Sequence, residues 1–388
     1  MVPKGWEILS IGDLGDVITG STPKTSDLSL YGGDIPFVGP ADLGRGKPIT
    51  SAIKTLSDEG FQATRKIRKG ATLFTCIGST IGKIGFSGTA LATNQQINAV
   101  VPNKLHDDNF IYHALKYRAS HIAKLAGTQA VPIINKSTFS SQPILVSPLP
   151  EQKKIAQILS TWDQAITATE RLLENSQQRK KGLMQKLLTG KKRLPGFEGV
   201  FKILPLREAA HITMGTSPKS SAYNSSGLGL PLLQGNADIE NRRSKPRVFT
   251  SEITKRCQDG NILLSVRAPV GSVAISNHEA CIGRGICAIE AKAGNHQTFL
   301  YQWMLWYEPQ WASLSQGSTF ESVNSADIKN LQIKLPTADE QAATAQVLSA
   351  GDQEIALLHE RLSCLKKEKK ALMQQLLTGK RRVKVEAE

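Results

Sequence analysis

Apolar residues recur at alternating four- and three-residue steps through Ile155, Leu159, Trp162 and Ile166, and the same frame continues through Leu173, Leu183 and Leu187. A stripe of that period is the seam of a coiled coil. The frame returns 189 residues later at Leu348, Ile355, Leu362, Leu372 and Leu376. Whole words return with it: Leu183-Met184-Gln185-Lys186-Leu187-Leu188-Thr189-Gly190-Lys191 as Leu372-Met373-Gln374-Gln375-Leu376-Leu377-Thr378-Gly379-Lys380, Glu151-Gln152 as Glu340-Gln341, and Asp163-Gln164 as Asp352-Gln353. Two long helices of equal length and register within one chain predict a pair. Their ends are marked as well. Pro150 suits the first helical position and Glu151 the positive end of the helix dipole. Thr337-Ala338-Asp339-Glu340 reads as a capping box, and Gly190 and Gly379 read as C-terminal caps followed by cations. Counting forward from Leu173 and Leu362 places Lys180 and Lys369 on the seam at equivalent positions. A seam cation fixes register, reaches a carboxylate, or snorkels to solvent.

The flanking sequence repeats more loosely. Gly20-Ser21-Thr22-Pro23-Lys24 answers to Gly215-Thr216-Ser217-Pro218-Lys219, and Gly70–Thr75, a turn feeding a buried strand, to Gly260–Ser265. Ile97–Val101 and Ile286–Glu290 read as matched strands, each followed by a short helix opening near Phe110 and Phe299. Gly127-Thr128 and Gly317-Ser318 read as matched turns before last strands at Ile144–Val146 and Leu331–Leu335. The plan is a globule over residues 1–148, a long helix over 149–190, a basic Pro-Gly linker over 191–199, a second globule over 200–336, a second long helix over 337–379 and a charged tail over 380–388. The expected fold class is α/β (α+β): two similar mixed globules separated by two paired helices. The loops differ between the copies, Gly44-Arg45-Gly46-Lys47 in one and Asn241-Arg242-Arg243-Ser244-Lys245 in the other. Like frameworks with unlike loops suggest two sites of one type and two specificities.

Charge adds a partner class. The 48 lysines and arginines against 33 acidic residues leave a formal charge of +15. An excess of that size favours a polyanion, nucleic acid first and an anionic membrane surface second. No apolar run reaches 18 residues and the first residues lack the apolar core of a signal peptide, so neither a membrane span nor secretion is expected. The five cysteines form no CxxC pair, which suits reduced thiols in the cytoplasm.

With these pieces in place, the chain resembles the specificity subunit of type I restriction–modification systems over essentially its whole length. The resemblance rests on Pro150-Glu151-Gln152, on the two Leu-Leu-Thr-Gly words, and on Leu194-Pro195-Gly196-Phe197 between the halves. It implies that each globule is a target recognition domain reading one half of a split, asymmetric duplex sequence. It further implies that the helices form an antiparallel coiled coil that spaces the halves and docks two modification subunits. S-adenosylmethionine, ATP and magnesium would belong to the modification and restriction subunits, and this chain would hold no cofactor or metal. Two departures stand in the second helix: Thr337-Ala338-Asp339 intrudes before Glu340, and Gly351 replaces Trp162 in the seam.

The missing chemistry agrees with a non-catalytic chain. No Pro-Pro dipeptide is present to build an adenine methyltransferase motif. Gly78-Ser79-Thr80-Ile81-Gly82-Lys83 is one residue short of a phosphate loop and is followed by Ile84 where Ser or Thr would bind magnesium. Gly283-Arg284-Gly285 lacks the third glycine of a dinucleotide fingerprint, and seven scattered histidines form no ligand set. Base reading then falls to Arg or Lys on guanine and Asn or Gln on adenine, with other cations on phosphates. The candidates are Lys24, Arg45, Lys47, Lys83, Asn94, Gln95, Gln96 and Gln129 in the first globule, and Lys219, Arg242, Arg243, Arg267 and Arg284 in the second. Asn94-Gln95-Gln96 stands out, against the alternative of a hydrogen-bonded turn bracing the sheet. Two other functions fit less well: a self-sufficient restriction or modification enzyme, which the missing motifs oppose, and a coiled-coil adaptor without DNA, which the charge opposes.

Overall fold

A computed structural model describes residues 2–44, 46, 48–127, 131–315 and 322–385, with the side chains of 312–315 left aside. Arg45, Lys47 and Gln129, and the turn residues Thr128, Gly317 and Ser318, lie outside the described residues. The chain forms two compact units, Met1–Leu172 with Leu358–Glu388, and Leu173–Leu357. Each unit therefore holds one globule, the first part of one long helix and the last part of the other.

In unit one, a five-stranded sheet runs in the order Gly15–Thr19, Ile97–Pro102, Thr72–Thr75, Ile84–Ser87, Pro48–Ile49, beside a three-stranded sheet of Lys54–Leu56, Tyr31–Val38 and Ala92–Thr93. Thr72–Thr75 is buried at every position, as its central place requires. Helix α1, Asp108–Ala123, packs on this sheet; the Asp107 carboxylate caps it by accepting from the Phe110 N–H at 2.9 Å. At 16 residues it is longer than the short helix expected. Unit two repeats the plan with a six-stranded sheet, centred on Ile262–Ser265 and Val273–Ile275, and a five-stranded sheet. A two-stranded antiparallel ribbon closes each unit, Glu7–Ser10 with Pro143–Val146 in one and Lys202–Pro205 with Gln332–Leu335 in the other. The fold class is the mixed α/β one expected.

Two helices of 39 residues each follow the last strands: α2, Leu149–Leu187, and α4, Ala338–Leu376; helix α3, Gln297–Ser315, is the counterpart of α1. Gly190 and Gly379 take left-handed φ values of 73° and 66° and cap the long helices. Along the seam, Ile155, Leu159, Leu173, Leu187, Leu348 and Leu376 are buried, and Trp162, Ile166, Leu183, Ile355, Leu362 and Leu372 are half-buried. The same spacing also passes through Thr169 and Ser176, which are polar and carry no hydrophobic signal. Both are buried, 5% and 7% exposed, with hydroxyls donating to the Ala165 carbonyl and to Glu354 Oε1, each at 2.8 Å.

The seam lysines do not snorkel freely. Lys369 ion-pairs with Asp163, and Lys180 with Asp352, at equivalent positions of the duplication. With Lys366–Glu170 at 2.8 Å and Arg179–Glu354, these pairs set an antiparallel register within each unit. Gly351, which interrupts the second seam, leaves room for the Lys180 stem, whose Cγ would lie 3.5 Å from a Cβ built there.

The Glu-Gln repeat has a separate job. Gln152 accepts from the Asp107 N–H at 2.9 Å and donates to the Ser147 carbonyl at 2.8 Å. Gln341 accepts from the His296 N–H at 2.9 Å and donates to the Pro336 carbonyl at 3.1 Å. Each glutamine thus ties its long helix to the start of α1 or α3. Glu151 and Glu340 are buried and held by bidentate arginines, Arg382 and Arg193. Arg382 also donates to the Lys4 carbonyl at 2.9 Å and lies over the Trp6 ring; Arg193 donates to the Gly199 carbonyl and lies over Phe201. Arg193, in the stretch read as linker, and Arg382, in the stretch read as tail, are therefore each tied to a buried glutamate of a long helix.

Candidate nucleic-acid interface

The sheets end in loops that converge at one edge of each globule. In unit one, residues 20–24, 77–83 and 94–96 meet. Gly20 must be glycine, because a Cβ there would sit 2.2 Å from the Asn94 carbonyl oxygen. Pro23 is buried, and its carbonyl accepts from the Tyr31 hydroxyl at 2.9 Å, which pins the loop that carries exposed Lys24. Thr22 Oγ1 donates to Gln95 Oε1 at 2.6 Å, and the Cys76 N–H donates to the Gln96 carbonyl at 2.8 Å.

Unit two builds the same edge from residues 215–219, 266–272 and 283–285. A Cβ on Gly215 would lie 2.2 Å from the Gly283 carbonyl oxygen. The Tyr223 hydroxyl donates to the Pro218 carbonyl at 3.1 Å, pinning the loop of exposed Lys219. The Arg284 N–H donates to Ser217 Oγ at 3.2 Å, and the Val266 N–H to the Gly285 carbonyl at 3.0 Å. Asn94-Gln95-Gln96 and Gly283-Arg284-Gly285 are thus one structural turn with different side chains.

The candidates divide accordingly. Lys24, Lys83 and Gln95 in unit one, and Lys219, Arg267 and Arg284 in unit two, are exposed on these loops. Asn94 and Gln96 are spent on the turn itself: Asn94 Nδ2 donates to Gln96 Oε1 at 2.9 Å and the Gln96 N–H returns to Asn94 Oδ1 at 3.1 Å. Arg242 and Arg243 lie elsewhere, at the strand Arg243–Ser244, bonded to Glu308 at 2.7 Å and Asn277 at 3.2 Å. Two edge residues escaped sequence reading. Arg65 reaches the Thr19 carbonyl at 2.8 Å, and exposed Gln234 packs on Gly283 and Gly285. Neither sits in a repeated word, so only the fold reveals them.

Among the described residues, no nucleotide cradle accompanies the edge. Residues 78–83 join the strands Thr72–Thr75 and Ile84–Ser87 with no helix to receive a phosphate, and Gly283-Arg284-Gly285 joins two strands in the same way. Among the described residues, no helix is long and apolar enough to cross a membrane, and Cys76, Cys257, Cys281 and Cys287 are buried free thiols.

A duplicated mixed fold with a variable edge on each copy and paired helices describes a two-site recognition scaffold. The family model "Type I restriction modification DNA specificity domain" matches residues 3–175 and 201–367, and the chain belongs to that family. It is 30% identical, over 99% of its own length and 95% of the relative's, to the Methanocaldococcus jannaschii protein named "Putative type I restriction enzyme MjaX specificity subunit". A chain from a solved structure on complex assembly and conformational transition of the type I R-M system superposes with a TM-score of 0.61 at 25% identity, covering 97% of this chain and 98% of that one. The type I restriction–modification S subunit from M. genitalium shares the fold, with a TM-score of 0.68 at 16% identity over 97% and 96% of the two chains. Membership carries the main reading: the chain is a specificity subunit of a type I restriction–modification system, and specificity subunits are non-catalytic.

Proposed function

We propose that the two loop edges read the two halves of a bipartite, asymmetric duplex target, residues 1–148 one half and residues 200–336 the other. The paired helices, over 149–190 and 337–379, set the distance between the halves and dock two modification subunits. In the assembled cytoplasmic complex, those subunits would bind S-adenosylmethionine and methylate adenine, and restriction subunits would add ATP- and magnesium-dependent cleavage. One observation carries this reading. The same turn, built on the same Gly-x-x-Pro-Lys loop, presents Gln95 in one globule and Arg284 in the other. Gln suits adenine and Arg suits guanine in the major groove.

The test is selection of targets from a randomised duplex pool by the complex with its modification subunits. Gln95→Ala should relax one half-site and Arg284→Ala the other, each losing roughly 5- to 150-fold of discrimination, as expected for one bidentate contact. Lys24→Ala and Lys219→Ala should weaken all sequences alike and lower the salt dependence, as phosphate contacts do. Relaxation of both halves by one of the first two variants would refute the division of labour.

A further inference from the structure

A cleft of about 790 Å³ opens in unit one between α1 and the paired long helices. Among the described residues it is lined by Lys116, Arg118, Lys366, Lys369 and Lys370 against Asp163 and Glu170, five cations to two carboxylates. Glu170 is taken by Lys366 at 2.8 Å, so Asp163 is left to face both Lys369 and Lys116, the latter at 3.9 Å. Lys369 is 5% exposed. The Arg118 Nε and His113 Nδ1 nitrogens beside it are buried with no hydrogen-bond partner among the described residues. Burial, with Lys369 and Lys116 nearby, brings His113 down to about 2, so it adds no charge and offers no counter-charge. Burial, with Lys116 nearby, brings the Lys369 amine down to about 8 against the opposing pull of Asp163.

Unit two supplies an internal control. There the Asp352–Lys180 pair is completed by the neutral Gln302 amide, which donates to Asp352 Oδ2 at 2.7 Å. Leu305 and Tyr307 stand where unit one has Lys116 and Arg118. The surplus charge is therefore an addition to one copy of the repeat, and is not required to build the helix pair.

We infer that this cleft of unit one is a binding site for a phosphate-bearing anion, held by Lys116, Arg118, Lys369 and Lys370. The phosphate replaces the missing counter-charge, and the apolar wall of Tyr117, Ile166 and Met373 accepts the group attached to it. The volume is that of a small-ligand pocket and is far too small for a duplex, so of a DNA molecule only a backbone phosphate could enter. A phosphorylated small molecule and a DNA backbone phosphate are the two sources of the same chemistry. The site stands on the cleft alone and does not depend on which bases the loop edges read.

The test is thermal unfolding of the full chain in sodium phosphate against sodium chloride at matched ionic strength. At about a hundredfold excess over its Kd, phosphate should raise the wild-type Tm by roughly 5–10 °C. Lys116→Leu copies unit two and should abolish the rise while leaving the fold intact, and exposed Lys334→Ala should retain it. Adding a 20-base-pair duplex separates the sources. Loss of the phosphate effect marks a backbone phosphate as occupant, and an additive effect marks a free phosphorylated molecule. No phosphate-specific rise in the wild type, an undiminished rise in Lys116→Leu, or an equal loss in Lys334→Ala would overturn the site.

Discussion

A protein lengthened by one heptad in each long helix should keep both half-site sequences and prefer a spacer about 3 base pairs longer. Seven helical residues add roughly 10.5 Å, and B-DNA rises about 34–36 Å per 10–10.5 base pairs. The pairs Glu170–Lys366 and Ser176–Glu354 show where to insert. Insertions between Leu172 and Leu173, and between Glu360 and Arg361, fall opposite each other and leave every ion pair with its partner. Seven residues also preserve the seam, whereas four would create a stutter and repack the interface. Three base pairs bring about 100° of duplex twist, so total activity should fall even as the spacer preference moves. Methylation of a target series differing only in spacer length reads the outcome. A folded, assembled extended protein that still prefers the original spacer would show that the helices do not set it.

The second large effect is on stability. Arg193→Ala should lower the melting temperature by on the order of 10 °C, because it strands Glu340, whose side chain is 2% exposed, without a counter-charge. Arg382→Ala should act alike through Glu151, whose side chain is 7% exposed. Replacing Arg193 and Glu340 together by apolar residues should recover most of the loss, since a buried pair is costly to break and cheap to replace. Calorimetry of the single and double variants is the check. A shift below about 2 °C in Arg193→Ala would mean that these clamps do not hold the linker and the tail in place.

The helices were legible because their signal is periodic and repeated. Leu159 and Leu348, or Gly190 and Gly379, say the same thing twice, and a seam has few ways to be satisfied. Polar seam positions were not legible. Thr169 and Ser176 carry no hydrophobic signal, and their burial depends on hydroxyls finding acceptors at Ala165 and Glu354. The partners of Lys180 and Lys369 were equally hidden, although Asp352 and Asp163 were visible as repeated words. Pairing them requires the antiparallel register, which only the fold supplies. Arg193 and Arg382 sat in stretches read as linker and tail because cations beside Pro and Gly ordinarily mark solvent.

The candidate interface was half legible for a related reason. The Gly-x-x-Pro-Lys loops announced themselves by recurrence. Asn94-Gln95-Gln96 announced itself by composition, yet two of its three amides close the turn and only Gln95 is exposed. Its structural equivalent, Gly283-Arg284-Gly285, shares no residue with it, so the match between the two turns became visible only once both were seen against their Pro-Lys loops. Arg242 and Arg243 drew notice as a charge cluster, but Glu308 and Asn277 engage them.

Exchange of residues 1–148 for the matching globule of a relative with a different target, followed by a genome-wide methylation map, tests the central division of labour most directly. The account predicts a hybrid target in which one half-site is new, while the other half-site and the spacer length are unchanged. A change in both halves, or in neither, would contradict it.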